Sequence, residues 1–197
     1  MPEGTAPGRP LGAVLAGGRG SRLGGAKAAA ELAGMPLAAH PLAALREAGV
    51  EAVVYAKPGQ VLPDLGVPVR REPASPRHPL CGIVAALRDC REEARPLVVL
   101  ACDLPFVPAP MVAALAAAPE PLVAVAGERV QPLLARYDPV LLPALEASLL
   151  AREPLTRTVL ALGPRLIAGE ELRRFGDPDR ILFNVNDDDD LRRAAEL

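Results

Sequence analysis

The stretch Leu15-Ala-Gly-Gly-Arg-Gly-Ser-Arg-Leu-Gly-Gly-Ala-Lys27 directly follows the apolar run Leu11-Gly12-Ala13-Val14. Its five glycines within nine residues, Gly17, Gly18, Gly20, Gly24 and Gly25, give up too much chain entropy for a plain strand-to-helix turn with solvated charges. Glycine lets a backbone approach an anion closely, because no Cβ intervenes and positive φ is allowed. Arg19, Arg22 and Lys27 add cations to the same stretch. An apolar strand that opens into such a loop is expected to hold a triphosphate.

Two familiar phosphate loops fit this stretch poorly. The Walker pattern ends in Gly-Lys-Ser/Thr, whereas Lys27 stands between Ala26 and Ala28, with no hydroxyl beside it to hold magnesium. The dinucleotide fingerprint needs glycine at 23, where Leu23 sits. Gly18, Gly20 and Gly24 give only a looser variant, and the glycines run on to where a helix should already have begun.

Short apolar segments rich in Val and Leu predict strands at 11–16, 51–56, 67–70 and 96–101, with further extended segments at 121–126 and 131–137. Helices are expected at 36–48, 80–93, 108–117, 139–151, 155–162 and 187–195. Pro36 suits the first turn of the first helix and Gly49 the position just past its end. A run such as Pro96-Leu-Val-Val-Leu-Ala101 is apolar throughout, as central parallel strands covered on both faces are. The alternation predicts an α/β fold: a three-layer, Rossmann-like, mostly parallel sheet that binds ligands beyond the carboxyl ends of its strands.

At 197 residues the chain is expected to form one domain over 11–197, preceded by a disordered lead over 1–10. No apolar run approaches the roughly 18 residues of a membrane span, and the first ten residues lack the apolar core of an export signal. The expectation is a cytoplasmic enzyme without a membrane partner. A net charge of −2 and five aromatic residues, three Phe and two Tyr, argue against nucleic acid as a partner. Cys81, Cys90 and Cys102 have neither disulfide nor zinc spacing, and Cys81 and Cys102 read as small core residues.

Asp103 follows the apolar strand 96–101 directly, so it would stand at a strand end beside the glycine loop. Magnesium takes one or two carboxylates together with phosphate oxygens, and this is where such a carboxylate would be wanted. A cap ahead of the next helix is the other reading of Asp103. The four aspartates Asp187 to Asp190 read as the first turn of a C-terminal helix, where acids complement the dipole, with Leu191 starting its buried stripe. Asn184 and Asn186 alternate, so both would face one side of an extended strand end.

Several blocks occur together in one order. They are Leu15-Ala-Gly-Gly-x-x-Ser-Arg22-Leu-Gly24-x-x-Lys27 with Gly34-Met-Pro-Leu37, then Pro79-Leu80-Cys81-Gly82, then Ala101-Cys102-Asp103-Leu104-Pro105-Phe106. Gln131-Pro132-Leu133-Leu134-Ala135-Arg136-Tyr137 and Asn184-Val185-Asn186 complete the series. Over roughly residues 10 to 195 the chain thereby resembles the molybdenum cofactor guanylyltransferases, the MobA family of the nucleotidyltransferase superfamily.

The resemblance implies a nucleotide-diphospho-sugar-transferase type of fold and transfer of GMP from GTP to molybdopterin, with release of pyrophosphate. It implies Arg22, Lys27 and Asp103 as catalytic residues, with Asp103 holding Mg2+. It implies Leu15, Ala16, Gly17, Gly18, Lys27, Pro79, Leu80, Gly82 and Asp103 around the nucleotide, and Asn184 and Asn186 towards the acceptor. Which asparagine stands nearer the metal is left open. Further partners implied are proteins that deliver the cofactor or accept the product. A cytidylyltransferase, or another small-phosphate nucleotidyltransferase, is the alternative enzyme; a non-catalytic nucleotide-binding partner is the alternative of another class. Leu15-Ala-Gly-Gly18 favours guanine, since cytidylyl relatives usually carry Leu-Ala-Ala-Gly. The chain departs from the family at Ala26, where an acid commonly precedes the lysine, at Tyr55 in place of an asparagine, and at Glu72 in place of an aspartate.

Overall fold

The computed structural model describes residues 8–18 and 27–197. In chain order the described elements are β1 (Leu11–Leu15), a hairpin of β2 (Glu31–Leu32) and β3 (Met35–Pro36), α1 (Ala39–Glu47), β4 (Glu51–Ala56) and β5 (Val69–Arg71). There follow α2 (Leu80–Arg91), β6 (Leu97–Ala101), α3 (Ala109–Ala117), β7 (Leu122–Ala126), β8 (Val130–Tyr137), α4 (Leu142–Leu150) and α5 (Leu155–Ala161). The chain ends through β9 (Arg165–Ala168), α6 (Gly169–Arg173), α7 (Pro178–Ile181) and α8 (Asp188–Ala195).

One seven-stranded sheet carries the architecture, in the order β5-β4-β1-β6-β8-β7-β9. β1 is parallel to both β4 and β6, β4 to β5, and β7 to β9. β8 alone runs antiparallel to its neighbours β6 and β7. The sheet is therefore mostly parallel, as the alternation of apolar segments predicts.

Successive residues of a strand point to opposite faces, and β1 shows the consequence. Val14 joins one core with Leu42 and Leu45 of α1 and Met111, Val112 and Leu115 of α3. Leu11 and Ala13 join the other, with Ile83, Val84 and Leu87 of α2, Leu142 and Leu145 of α4 and Val159 of α5. Helices thus cover both faces in three layers. A smaller cluster of Leu32, Leu37, Val185 and Ala194 ties the β2–β3 hairpin to α8. Cys81 and Cys102 are buried, as small core residues should be. No described helix is long and apolar enough to cross a membrane.

Several expectations need correction. Pro36 does not open a helix: it lies in β3, and α1 starts only at Ala39. The hairpin before it turns on two successive left-handed residues, Ala33 at φ 51° and Gly34 at φ 77°, and an alanine gives no warning of that conformation. The expected strand end at 184–186 is absent, for the chain between α7 and α8 is irregular. The helix expected over 139–151 begins as a 3-10 turn at Pro139–Leu141 before α4. Gly49 lies just past α1 at φ 70°, as expected. Of the expected N-terminal lead, residues 1–7 lie outside the described residues. Residues 9 and 10 are held by Arg95, which donates to the Arg9 carbonyl at 2.7 Å and the Pro10 carbonyl at 3.4 Å.

At Gly12 of β1 the side chain of Leu45 from α1 packs directly against the backbone. A Cβ there would lie 2.4 Å from Leu45 Cδ2 and 3.1 Å from the Glu51 carbonyl oxygen. Gly12→Ala is therefore expected to cost about 1–3 kcal/mol by overpacking, and Leu45→Ala about 2–5 kcal/mol by leaving a cavity. In urea denaturation the double variant should lose less than the sum, because the smaller side chain at 45 makes room for the methyl at 12. Strict additivity would show that the two positions do not share space.

Candidate active site

From β1 the chain passes to β4 and β5 on one side and returns to β6 on the other. A parallel sheet opens a crevice at such a reversal, at the carboxyl ends of the strands. A cleft of about 750 Å³ lies there. Leu15, Gly17 and Gly18 line it from the end of β1, Lys57 to Gln60 from the end of β4, and Glu72 from the end of β5. Ala101, Cys102 and Asp103 close it from β6, and Arg77 to Pro79 with Gly82 from the start of α2. Backbone hydrogen bonds continue the ladder into these loops: Ala16 N–H to the Tyr55 carbonyl, Cys102 N–H to the Leu15 carbonyl and Glu72 N–H to the Ala56 carbonyl.

On the β6 side, Lys27 begins a 3-10 turn and is largely buried. Its Nζ donates to Asp103 Oδ2 at 2.7 Å and to Asn186 Oδ1 at 3.1 Å. Three distant segments hold these groups together. The Lys27 turn is fixed by the Ala38 N–H bonded to the Ala28 carbonyl, and the Asp103 carbonyl accepts from the Val185 N–H at 3.0 Å. The Asn186 N–H donates to Asp190 Oδ2, while Asp187 caps α8 by accepting from the Asp190 N–H. The aspartate run is thus the first turn of a helix, as expected, and one member anchors the site backbone. Asp103 does not cap the helix that follows it, for α3 begins at Ala109 behind Pro108.

An ammonium here rests against a carboxylate oxygen and an amide oxygen, both hard donors of the kind magnesium takes. Among the described residues no group of three or more His, Cys, Asp or Glu side chains could hold a metal. That donor set fits a magnesium ion that shares one protein carboxylate with substrate phosphates. Cys102 lies beside Asp103, but burial pushes its thiol up to about 12, so it stays protonated at neutral pH.

On the other side, Glu72 is buried at 6% exposure and reaches back to the loop after β1. A Cβ on Gly17 would lie 1.9 Å from Glu72 Oε1, so only glycine allows this approach. A Cβ on Gly82 would lie 3.3 Å from Glu72 Oε2. Lys57 Nζ faces that same oxygen at 3.3 Å. Burial raises the Glu72 carboxyl above the usual carboxylate range, and the Lys57 charge works against the rise.

The expected site residues fall into three groups. Leu15, Gly17, Gly18, Lys27, Pro79, Gly82 and Asp103 share the cleft, and Asn186 reaches it through Lys27. Ala16 lies just beneath, its carbonyl accepting from the Gln60 side chain, and Leu80 is fully buried in the core under α2. Asn184 turns its amide to the Leu182 carbonyl at 3.0 Å, so the two asparagines do not face one way. Arg22, with Arg19, Gly20, Gly24, Gly25 and Ala26, lies outside the described residues. Tyr55 points away from the cleft and donates to Asp89 at 2.6 Å. Sequence reasoning missed Lys57, Gln60, Arg77 and His78. For Lys57 a signal existed, since it and Lys27 are the only lysines in the chain.

Residues 12–169 match the family model of the MobA-like NTP transferase domain. The molybdenum cofactor guanylyltransferase of Ralstonia pickettii is 38% identical over 110 residues, covering 54% of this chain and 53% of that protein. That of Cupriavidus taiwanensis is 39% identical over 111 residues, 54% of each chain. The chain spans about half the length of the curated relatives it matches. Among solved structures, molybdopterin-guanine dinucleotide biosynthesis protein A of Archaeoglobus fulgidus superposes with a TM-score of 0.76 at 25% identity, over 94% of this chain and 97% of that one. The 2-C-methyl-D-erythritol 4-phosphate cytidylyltransferase of Thermus thermophilus shares the fold, with a TM-score of 0.66 at 21% identity over 94% and 97%.

Gly17 and Gly18 differ sharply in what a side chain would meet. Gly17→Ala drives a methyl into Glu72 and is expected to cost about 1–3 kcal/mol in a melting curve. At Gly18 a Cβ meets nothing within 4 Å, and Gly18→Ala should stay within about 0.5 kcal/mol of the wild type. Equal losses at both positions would mean that the Glu72 contact does not set the need for glycine.

Proposed function

The chain belongs to the MobA-like NTP transferase domain family, and from that premise we propose that it transfers GMP from GTP to molybdopterin. In this reading a phosphate oxygen of molybdopterin forms a bond to the α-phosphorus of GTP, the bond to the β-phosphate oxygen breaks, and pyrophosphate leaves. The guanine dinucleotide form of the molybdenum cofactor is the product. The observation that carries the reading is the meeting of Lys27, Asp103 and Asn186 at the carboxyl ends of β1 and β6.

The attacking phosphate is already anionic, so the site needs no dedicated general base. It must align the reactants and neutralise developing charge. Lys27 and Arg22 would stabilise the departing pyrophosphate, and Gly17 and Gly18 would let backbone approach the triphosphate. Asp103, with Asn186 beside it, would hold a magnesium ion, which when bound would supply positive charge against the negative charge of the reacting phosphates. Asn184 and Asn186 would lie towards the acceptor.

Glu72 supports guanine. An ionised carboxylate only accepts hydrogen bonds, and guanine presents two adjacent donors, N1–H and the 2-amino group. Cytosine presents O2 and N3 as acceptors at the corresponding edge and would not offer the buried carboxylate that pair of donors. A site built to pair with donors rejects a ligand that lacks them. Leu15, Pro79 and Gly82 would complete the wall against the base and ribose.

Calorimetry with each triphosphate and magnesium tests base choice: GTP should bind at least about tenfold more tightly than CTP, about 1.4 kcal/mol. Equal affinity, or a preference for CTP, would overturn guanylyl transfer while leaving nucleotidyl transfer standing. For the chemistry, Asp103→Asn keeps an acceptor for Lys27 but removes the charge at the metal position. Pyrophosphate release with GTP and molybdopterin should fall on the order of 10²-fold or more, with a cooperative melting transition retained. Wild-type turnover in this variant would refute the role given to Asp103.

A further inference from the structure

Lys57 lines the cleft, yet its ammonium is spent on the protein. Nζ donates to the Pro73 carbonyl at 2.6 Å and the Pro76 carbonyl at 3.4 Å, and it faces Glu72 Oε2 at 3.3 Å. Two of these three partners take N–H donors of the ammonium in hydrogen bonds, and the third, the carboxylate, is its ion-pair partner. All three belong to the short segment 72–76, which leads into the cleft-lining residues Arg77, His78 and Pro79. A single side chain thus ties the end of β4 to the loop that carries Glu72.

We propose that Lys57 is a positioning residue for base selection, holding the Glu72 carboxylate in place and charged so that it can accept from guanine. The proposal rests on the reading of Glu72 as the guanine acceptor. A buried carboxylate without a counter-charge takes up a proton instead, and then offers a donor where two acceptors are needed. Among the described residues, the other elements packed against Glu72 meet it with glycine: the β1 end presents Gly17 and α2 presents Gly82. Arg77 and His78 stand on the same cleft wall, and Lys27 is committed to Asp103. Of these groups, Lys57 is the one paired with the carboxylate.

The pH dependence follows in sign. Burial already places the Glu72 carboxyl above its ordinary range, with Lys57 opposing the rise. Guanine binding through the ionised form is complete at high pH and is lost as pH falls through the Glu72 value. Removing the Lys57 charge lets that value climb, so the loss must begin at a higher pH. A purely mechanical role for Lys57 would instead weaken binding by one factor at every pH.

The test is GTP binding by calorimetry, with magnesium and without acceptor, from about pH 5.5 to about pH 8.5. Lys57→Met removes the charge and the hydrogen bonds; Lys57→Gln removes the charge but keeps donors for the loop carbonyls. Both variants should bind GTP about tenfold more weakly than wild type at the acid end and come within about threefold at the alkaline end. Glu72→Gln should bind GTP weakly with a flat profile. If Glu72→Gln binds GTP like the wild type, the reading of Glu72 itself fails. If it is weak and flat while both Lys57 variants track the wild-type profile, or lose the same factor at every pH, this proposal alone fails. It fails equally if neither Lys57 variant melts cooperatively, for Lys57 is then a residue of the fold.

Discussion

The structure depends on β1 being buried on both faces between two parallel neighbours. Val14 packs towards α1 and α3, Leu11 and Ala13 towards α2, and the ladders to β4 and β6 fix the register along the whole strand. A strand held in this way delivers its last residues to a fixed point. Gly17 and Gly18 therefore emerge between the ends of β4 and β6, where the sheet reverses direction and helix cover gives way. The walls from β4, β6 and α2 continue elements that pack on this one, and the Glu72 wall continues β5, which pairs with β4. A change that lets β1 slip would move all the chemistry together, which is why the tight contact of Gly12 with Leu45 bears on function as well as stability.

Electrostatics divides the cleft into two halves. In each, a lysine meets a carboxylate of low exposure: Lys27 with Asp103 near β6, and Lys57 with Glu72 near β5. The two pairs differ in what surrounds them. Asp103 is 22% exposed at the side chain and shares Lys27 with the amide oxygen of Asn186. Glu72 is enclosed by backbone, and its lysine is bound to two further carbonyls. The carboxylate of the first pair is the more exposed of the two, and the second pair is tied into its loop. A more exposed carboxylate suits the reacting end of a nucleotide, and a fixed acceptor suits the end that is only read.

How much of this was legible in the sequence follows from burial. β1, β4 and β6 announce themselves because strands covered on both faces must be apolar throughout, and their ends place the glycine loop and Asp103 side by side. β9 escaped notice because it is an edge strand, half exposed, whose Arg165 is committed to Glu120 and Glu171 rather than to a core. The β2–β3 hairpin escaped because its turn needs a left-handed alanine. Lys27, Asp103 and the Asn186 block were legible as motifs, but their meeting was not, for it joins residues 76 and 159 positions apart. The direction of Asn184 depends on an irregular segment held by the Asp103 carbonyl, the cap of α8 and the burial of Val185. Glu72 could be named only as a departure from a family pattern. Its significance comes from a contact with Gly17 that no local pattern encodes.

The choice of lysine at both positions has a physical reason in a chain whose other basic side chains are all arginine. Arginine presents its donors in a rigid plane suited to paired, coplanar acceptors. Neither site offers that arrangement. Around Lys57 the acceptors are two backbone carbonyls of one bent loop and a carboxylate below them; around Lys27 they are a carboxylate and an amide from separate segments. A compact ammonium can rotate its three donors onto acceptors that converge from different directions, and it occupies about the space of a small cation. Lysine at these two positions thus suits the geometry of the acceptors, and these are the same two residues that the cleft brings against its carboxylates.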